Sequence, residues 1–338
     1  MTDKTTKETI GVILLNLGGP DSLQAVRPFL YNLFSDRQII QLGPPFMQKP
    51  LAWLISSIRS KKTEQFYSFI GGKSPILNIT IAQAKALEES LNKRAEVLNF
   101  QTSELPNFRT VFRVYIAMRY WHPLIEEVIP EIYNAKIKKL IALSLYPQYS
   151  VTTSGSSLSK FKEVMAKYPV EIFCIPSWFN HPLYIEALVD VIKKGLEKGG
   201  GDIHVLFSAH SLPQKFIDEG DPYVHQIMGT IGEVTKQIPI KWHLSYQSKS
   251  GPVRWLEPST DEKLKELARE GVRNILVVPI SFVSDHIETL YEIDVLYKKM
   301  ADRLGINLRR TESLNIHPLF IEALKDMVIK GVKEIGWI

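Results

Sequence analysis

HPLYIEALVDVIKKG (residues 181–195) and HPLFIEALKDMVIKG (residues 317–331) agree at ten of fifteen positions, and this repeat decides how the other residues of the 338-residue chain are read. Both copies put proline at the start of a helical apolar pattern, where its missing N–H costs nothing. Working outward, HPLIEEVIPEIYNAKIKKLIALSLYPQYS (122–150) aligns more loosely with EPSTDEKLKELAREGVRNILVVPISFVSD (257–285). The order of helix and strand is kept, as is the proline near the helix start. The first strands match in shape as well, VILLNLGGP (12–20) against VLFSAHSLP (205–213). Convergence on a shared helix-start pattern is the bland alternative. The fuller reading is one α/β unit used twice, with KGGGD (198–202) as a flexible joint.

Strand-length apolar runs support that reading. IGVILLNL (10–17), VFRVYIAM (111–118), KLIALSLY (139–146) and VEIFCIP (170–176) form one set. IHVLFSAH (203–210), IKWHLSYQ (240–247), NILVVPISF (274–282) and the weak INLRRTES (306–313) form the other. Strands alternating with helices imply two four-stranded parallel sheets with right-handed crossovers. Loops at the carboxyl ends of such strands gather on one side, and two units facing each other make a cleft.

Composition narrows the function. Hydrophobic residues make up 45% and charged residues 23%, the profile of a globular chain. Net charge is +5 from 41 basic and 36 acidic residues, with no basic run interleaved with aromatics, so nucleic acid is not an expected partner. The single cysteine, Cys174, lies in an apolar run and reads as a small buried strand residue. One cysteine excludes a disulfide framework or a cysteine-ligated cluster within one chain. The polar start MTDKTTKETI has no secretory core, and no apolar run approaches the roughly 18 residues of a membrane span. A cytoplasmic protein is expected. LNLGGPDS has a glycine pair but lacks the spacing of either nucleotide-binding signature.

Chemistry concentrates in the second half. His210 ends its first strand, and SFVSDHIE puts Asp285, His286 and Glu288 beyond its third. The first half has Leu17 and the uncharged YPQYS at those places. One reactive wall and one binding wall would give this divergence. A lone histidine at a strand end is most often structural, but Glu288 at an adjacent strand end changes the reading. Imidazole and carboxylate facing one cavity can hold a divalent cation loosely or move protons near neutral pH. Asp285 reads either as the cap of a helix starting at His286, bonding the Glu288 N–H, or as a functional residue. His286 would orient Glu288 or ligate metal. Glu288 and Glu292, four apart, would share one face of a regular helix, conducting cations or protons inward or simply facing solvent.

Other features suit a large, flat, apolar ligand with anionic edges. MRYWHP offers Arg119 for a carboxylate and Tyr120 for ring contact, and SYQSKSGPVRWLEP supplies Lys249, Arg254 and Trp255. Pro44–Lys62 is amphipathic: ordinary core packing is the default, a greasy lip over the cleft or a membrane-surface contact the alternative.

LFSAHSLP, SFVSDHIETLYEID, LNLGGP, IGGKSPI, YPQYS and YQSKSGPVRWLEP together resemble the ferrochelatase family from about Ile10 to the C-terminus. The resemblance implies two Rossmann-like domains around a porphyrin cleft. One would span 9–176 plus a C-terminal helix over 318–338, the other 177–317. It implies a lyase inserting Fe2+ into protoporphyrin IX at the last step of haem synthesis. His210 and Glu288 would be the catalytic and metal-binding pair, supported by Asp285, His286 and Glu292. Leu17, Arg119, Tyr120, Trp255 and Phe282 would line the porphyrin pocket. Lys73 and Phe69 depart from the family pattern and alter the expected propionate contacts, and Leu296 ends the acidic row one turn beyond Glu292. The C-terminal cysteines of cluster-bearing members are absent, so neither an iron–sulfur cluster nor any other permanently bound cofactor is expected. No obligate protein partner is implied, and contact with the inner face of a membrane is confined to the Pro44–Lys62 lip. Coproporphyrin III or another tetrapyrrole as substrate is the nearest alternative, and a non-catalytic porphyrin or haem carrier the alternative from another class.

Overall fold

Eight apolar runs, most of them rich in β-branched residues, form eight strands, all in the places expected from the sequence. The computed structural model describes residues 8–101 and 110–338, with the backbone alone for 94–101. Residues 1–7, on which the expectation of no secretory signal partly rests, lie outside the described residues. The first half runs β1 (Thr9–Asn16), α1 (Val26–Ser35), α2 (Gln48–Ser68), α3 (Ile76–Gln101), β2 (Val111–Met118), α4 (Ile125–Asn134), β3 (Lys139–Ser144), α5 (Ser156–Met165), β4 (Glu171–Ile175) and α6 (Pro182–Glu197). The second runs β5 (Ile203–His210), α7 (Gln214–Asp218), α8 (Tyr223–Gln237), β6 (Lys241–Gln247), α9 (Thr260–Arg269) and β7 (Asn274–Pro279). A π-helix (Glu288–Tyr297), α10 (Lys298–Arg303), β8 (Asn307–Arg310) and α11 (Pro318–Glu334) complete it.

The sheets are ordered β2-β1-β3-β4 and β6-β5-β7-β8, the same order shifted by four strands, and every pairing is parallel. Identical order in both halves is what duplication produces. Strand alternation divides the apolar residues: Ile10, Val12 and Leu14 join the central core with Val205 and Phe207, whereas Ile13 and Leu15 pack outward against α4 and α5. Cys174 is half-buried rather than buried, because β4 is the edge strand of its sheet.

The two copies of the repeat are exchanged in space. The helix that closes the second half, α11, packs on α3, β3 and β4 of the first sheet, while α6 packs on β7 and α8 of the second. They also pack on each other. His181 Nε2 meets Asp326 at 3.0 Å and His317 Nε2 meets Asp190 at 2.8 Å. Each histidine opens one helix and reaches an aspartate nine residues along the other. That reciprocity requires antiparallel helices about a local pseudo-two-fold axis, the geometry of an isologous dimer interface inside one chain.

This frame positions the chemistry. β5, β6 and β7 end at His210, Gln247 and Pro279, while β1 and β2 deliver Leu17 and Arg119. Parallel pairing places each set on one side of its sheet.

Candidate active site

His210 is fixed by its own backbone before its side chain does anything. Its N–H donates to Ser281 Oγ at 2.9 Å, and its carbonyl accepts from the Tyr223 hydroxyl at 3.0 Å. The imidazole then meets Glu288, Nδ1 to Oε2 at 2.8 Å, leaving Nε2 as its free nitrogen. Phe282 lies edge-on to both His210 and His286, with centroids 6.2 and 4.4 Å away. The sequence-derived pairing of His210, Glu288, His286 and Phe282 in one place is therefore what the structure has.

Burial alone would push the His210 pKa down, but the Glu288 carboxylate outweighs it and holds the imidazole above its ordinary value, with Glu292 adding to the effect. Burial would raise Glu288, yet His210, then His286 and Ser248, hold it well below the carboxylate range. The pair therefore keeps one proton between an imidazole and a carboxylate. His286 is different: burial lowers its pKa despite Glu288, and its Nδ1 is 3.0 Å from the Ser284 carbonyl. It is a neutral ring beside Glu288 and not hydrogen-bonded to it. Glu292 is raised by burial and by Glu288, which inclines it to hold a proton.

Two local expectations need correcting. The segment after Asp285 is a π-helix beginning at Glu288, so Asp285 caps no helix that starts at His286. Its carboxylate instead accepts from Thr289, Ser313 and Asn315 and pairs with Arg310. Glu292 does not stand on an open face. It accepts from the Ser248 N–H at 2.9 Å, from the Ser248 hydroxyl, and from Tyr297 at 2.9 Å. Ser248 reaches it from a left-handed backbone conformation, φ 68°, a strain tolerated where surrounding contacts fix the residue. Gln247, wholly buried, donates to the Glu288 carbonyl at 3.0 Å and ties the end of β6 to the π-helix.

The opposite wall also differs from expectation. Arg119 Nη2 is 2.7 Å from Asp36, and the Tyr120 hydroxyl donates to the same oxygen at 2.7 Å. Tyr120 is only 2% exposed, so it braces the wall from beneath instead of offering its ring, and Arg119 already has a carboxylate. Burial would raise Asp36, but Ser156, Arg119, the Gln38 N–H and Tyr120 together hold it low. Leu17 packs with Trp121 and Ile287 in the same cluster. Trp255 lies beside Pro213, just beyond His210, with its indole N–H buried and without a partner. Asp36, Ser248 and Gln247 had no signal as site residues in the sequence, because each acts through contacts distant along the chain.

Pro44–Lys62 becomes a short 3-10 turn and most of α2, and its amphipathy is inverted. Small residues Ala52, Ser56 and Ser60 face inward, while Phe46, Trp53, Leu54 and Ile58 are exposed. Farther along, Phe66 stacks on Tyr291 of the π-helix with centroids 4.4 Å apart, joining the lip of one half to the reactive segment of the other. Among the described residues, no helix is long and apolar enough to cross a membrane.

Comparison with known proteins identifies the family. The ferrochelatase family model matches residues 9–332. A ferrochelatase of Desulfotalea psychrophila is 49% identical over 324 residues, covering 95% of this chain and 97% of that one. That of Gloeothece citriformis is 48% identical over 335 residues, covering 96% and 83%. SirB from Bacillus subtilis, solved with Fe3+, superposes with a TM-score of 0.52 at 11% identity, covering 97% of this chain and 98% of that one, which shows the fold alone. The chain belongs to the ferrochelatase family, metal-inserting lyases of haem biosynthesis.

Proposed function

We propose that the chain inserts Fe2+ into protoporphyrin IX between two units, residues 9–176 with 318–338 and residues 177–317, with His210 and Glu288 as the reactive pair. The observation that carries the assignment is the 2.8 Å contact of His210 Nδ1, at the end of β5, with Glu288, which opens the π-helix following the neighbouring β7. A free porphyrin carries two inward N–H groups, and two protons must leave as the metal enters. With Nδ1 bonded to a carboxylate, His210 Nε2 is made more basic and accepts a pyrrole proton, Glu288 stabilising the imidazolium that results. Two protein ligands suit an ion in transit better than a resident one, since resident structural sites use four. Iron would be released from the pair to the macrocycle because the four pyrrole nitrogens outnumber it. The Glu292 carboxylate, one step farther along the π-helix and receiving donors from Ser248 and Tyr297, takes a proton more readily than a solvated carboxylate and is the next acceptor.

Leu17, Trp255 and Phe282 supply apolar surface for the ring, and the unpartnered Trp255 N–H supports an acceptor on the ligand. Arg119 would act on a propionate only through the positive edge left after pairing with Asp36. The exposed Phe46, Trp53, Leu54 and Ile58, next to Arg59, Lys61 and Lys62, support contact of the lip with an anionic membrane surface.

Loss of porphyrin fluorescence on adding Fe2+ tests the assignment, run in parallel with protoporphyrin IX and coproporphyrin III. His210→Ala should lower turnover by about 10³-fold while leaving the fold intact. Turnover retained in that variant removes His210 from the role, and faster turnover of coproporphyrin reassigns the substrate.

A further inference from the structure

Arg310 ends β8, and its side chain is only 10% exposed. Its guanidinium donates through Nε and Nη2 to both oxygens of Asp294, at 2.9 and 2.8 Å. On its other side Nη1 lies 3.1 Å from Asp285 and donates to the Thr311 carbonyl and Ser313 Oγ, at 3.0 and 3.1 Å. Asp285 precedes Glu288 by three residues, and Asp294 follows it by six. One cation therefore grips the chain on both sides of the residue that faces His210.

That grip acts on a segment with little stability of its own. A π-helix closes i→i+5 hydrogen bonds, and the Lys298 N–H reaches back to the Ile293 carbonyl in that way. Such helices are rare and short because their geometry is unfavourable, and they persist where tertiary contacts hold them. Here the contacts are identifiable: Gln247 on the Glu288 carbonyl, Ser248 on Glu292, Phe66 on Tyr291, and Arg310 on Asp285 and Asp294. Of these only Arg310 spans the segment from before its first residue to its interior. It also neutralises two carboxylates that would otherwise repel each other across it. A bidentate fork fixes orientation as well as charge, which an ammonium group in the same place would not.

We propose that Arg310 is a positioning residue for the reaction, an ionic clamp that sets the backbone of residues 285–294 and so aims the Glu288 carboxylate at His210 and the incoming metal. This rests on the assignment of iron to His210 and Glu288. The clamp touches neither substrate. Its effect is carried through Asp285, three residues before the π-helix that Glu288 opens, and Asp294, inside it.

Arg310→Gln and Arg310→Lys test it, with kcat and both KM values measured per folded, porphyrin-binding molecule. Arg310→Gln should lower kcat and raise the KM for Fe2+ by about tenfold or more, the usual cost of removing a group that orients a metal ligand, with the porphyrin KM within twofold of wild type. Arg310→Lys keeps the charge and loses the fork, so it should fall between the two. Should Arg310→Gln fail to fold, Arg310→Lys and Asp294→Asn give the same reading, each raising the iron KM selectively. A loss of folded protein with unchanged kcat and iron KM per folded molecule overturns the clamp, as does a change confined to the porphyrin KM. Inactive His210→Ala alongside unaffected Arg310 variants sinks the clamp alone, whereas an active His210→Ala sinks the site assignment itself.

Discussion

Glu288→Gln keeps the shape of the side chain and removes its charge, so it isolates the electrostatic part of the 2.8 Å contact with His210. Unit charges about 4 Å apart attract by roughly 4 kcal/mol at an effective dielectric of 20. The His210 and Glu288 side chains are 33% and 18% exposed, so water reaches both. Screening and the cost of desolvating the two ions reduce the net attraction to about 2 kcal/mol. The His210 pKa should fall in the variant, because the carboxylate that raises it is gone. The stability difference has a definite pH window. His210 is raised above 6.5 in the folded chain, so its contribution is fully present below 6.5 and is lost as pH rises through the folded value. Glu288 is depressed below 4.5, so its contribution is present above 4.5 and is lost as pH falls through the folded value. Wild type should therefore exceed the variant in stability most clearly between pH 4.5 and 6.5, with the gap closing on the alkaline side. Proton–carbon NMR of the His210 ring, with urea unfolding at several pH values and no iron present, measures both. An unchanged or higher His210 pKa in Glu288→Gln, or a gap that widens above neutrality, would refute the ion-pair reasoning.

Asp36→Ala should cost about 3 kcal/mol and lower the urea midpoint, because Arg119 Nη2 loses its carboxylate while the Tyr120 and Ser156 hydroxyls lose their shared acceptor. A loss under about 0.5 kcal/mol would show that Ser156, which accepts from Arg119 Nε at 2.9 Å, holds the guanidinium without Asp36 and leaves Nη2 for a propionate. Trp53→Ser combined with Ile58→Ser should weaken sedimentation with anionic vesicles by about tenfold or more at unchanged melting temperature. Equal sedimentation of wild type and variant would remove the lip from membrane contact.

Repeated residues determined the architecture because periodicity is local. HPLYIEAL and HPLFIEAL each state a helix, and eight apolar runs state strands, wherever the chain later goes. The His210–Glu288 contact was legible for a related reason: in parallel sheets, residues that end neighbouring strands must lie near one another, which brings His210 close to the segment holding Glu288. Tertiary structure alone decided the rest. Whether Asp36, 83 residues from Arg119, would claim its guanidinium depends on two loops meeting. The residue types of 288–297 do not state whether each N–H finds the carbonyl four or five residues back, so the setting of Glu292 and the clamp of Arg310 were hidden. The exchange of α6 and α11 was implied only by the family resemblance, which assigns 318–338 to the first domain and 177–317 to the second; the residues alone did not state it, since an amphipathic helix specifies that it must be covered and not which of two similar sheets will cover it.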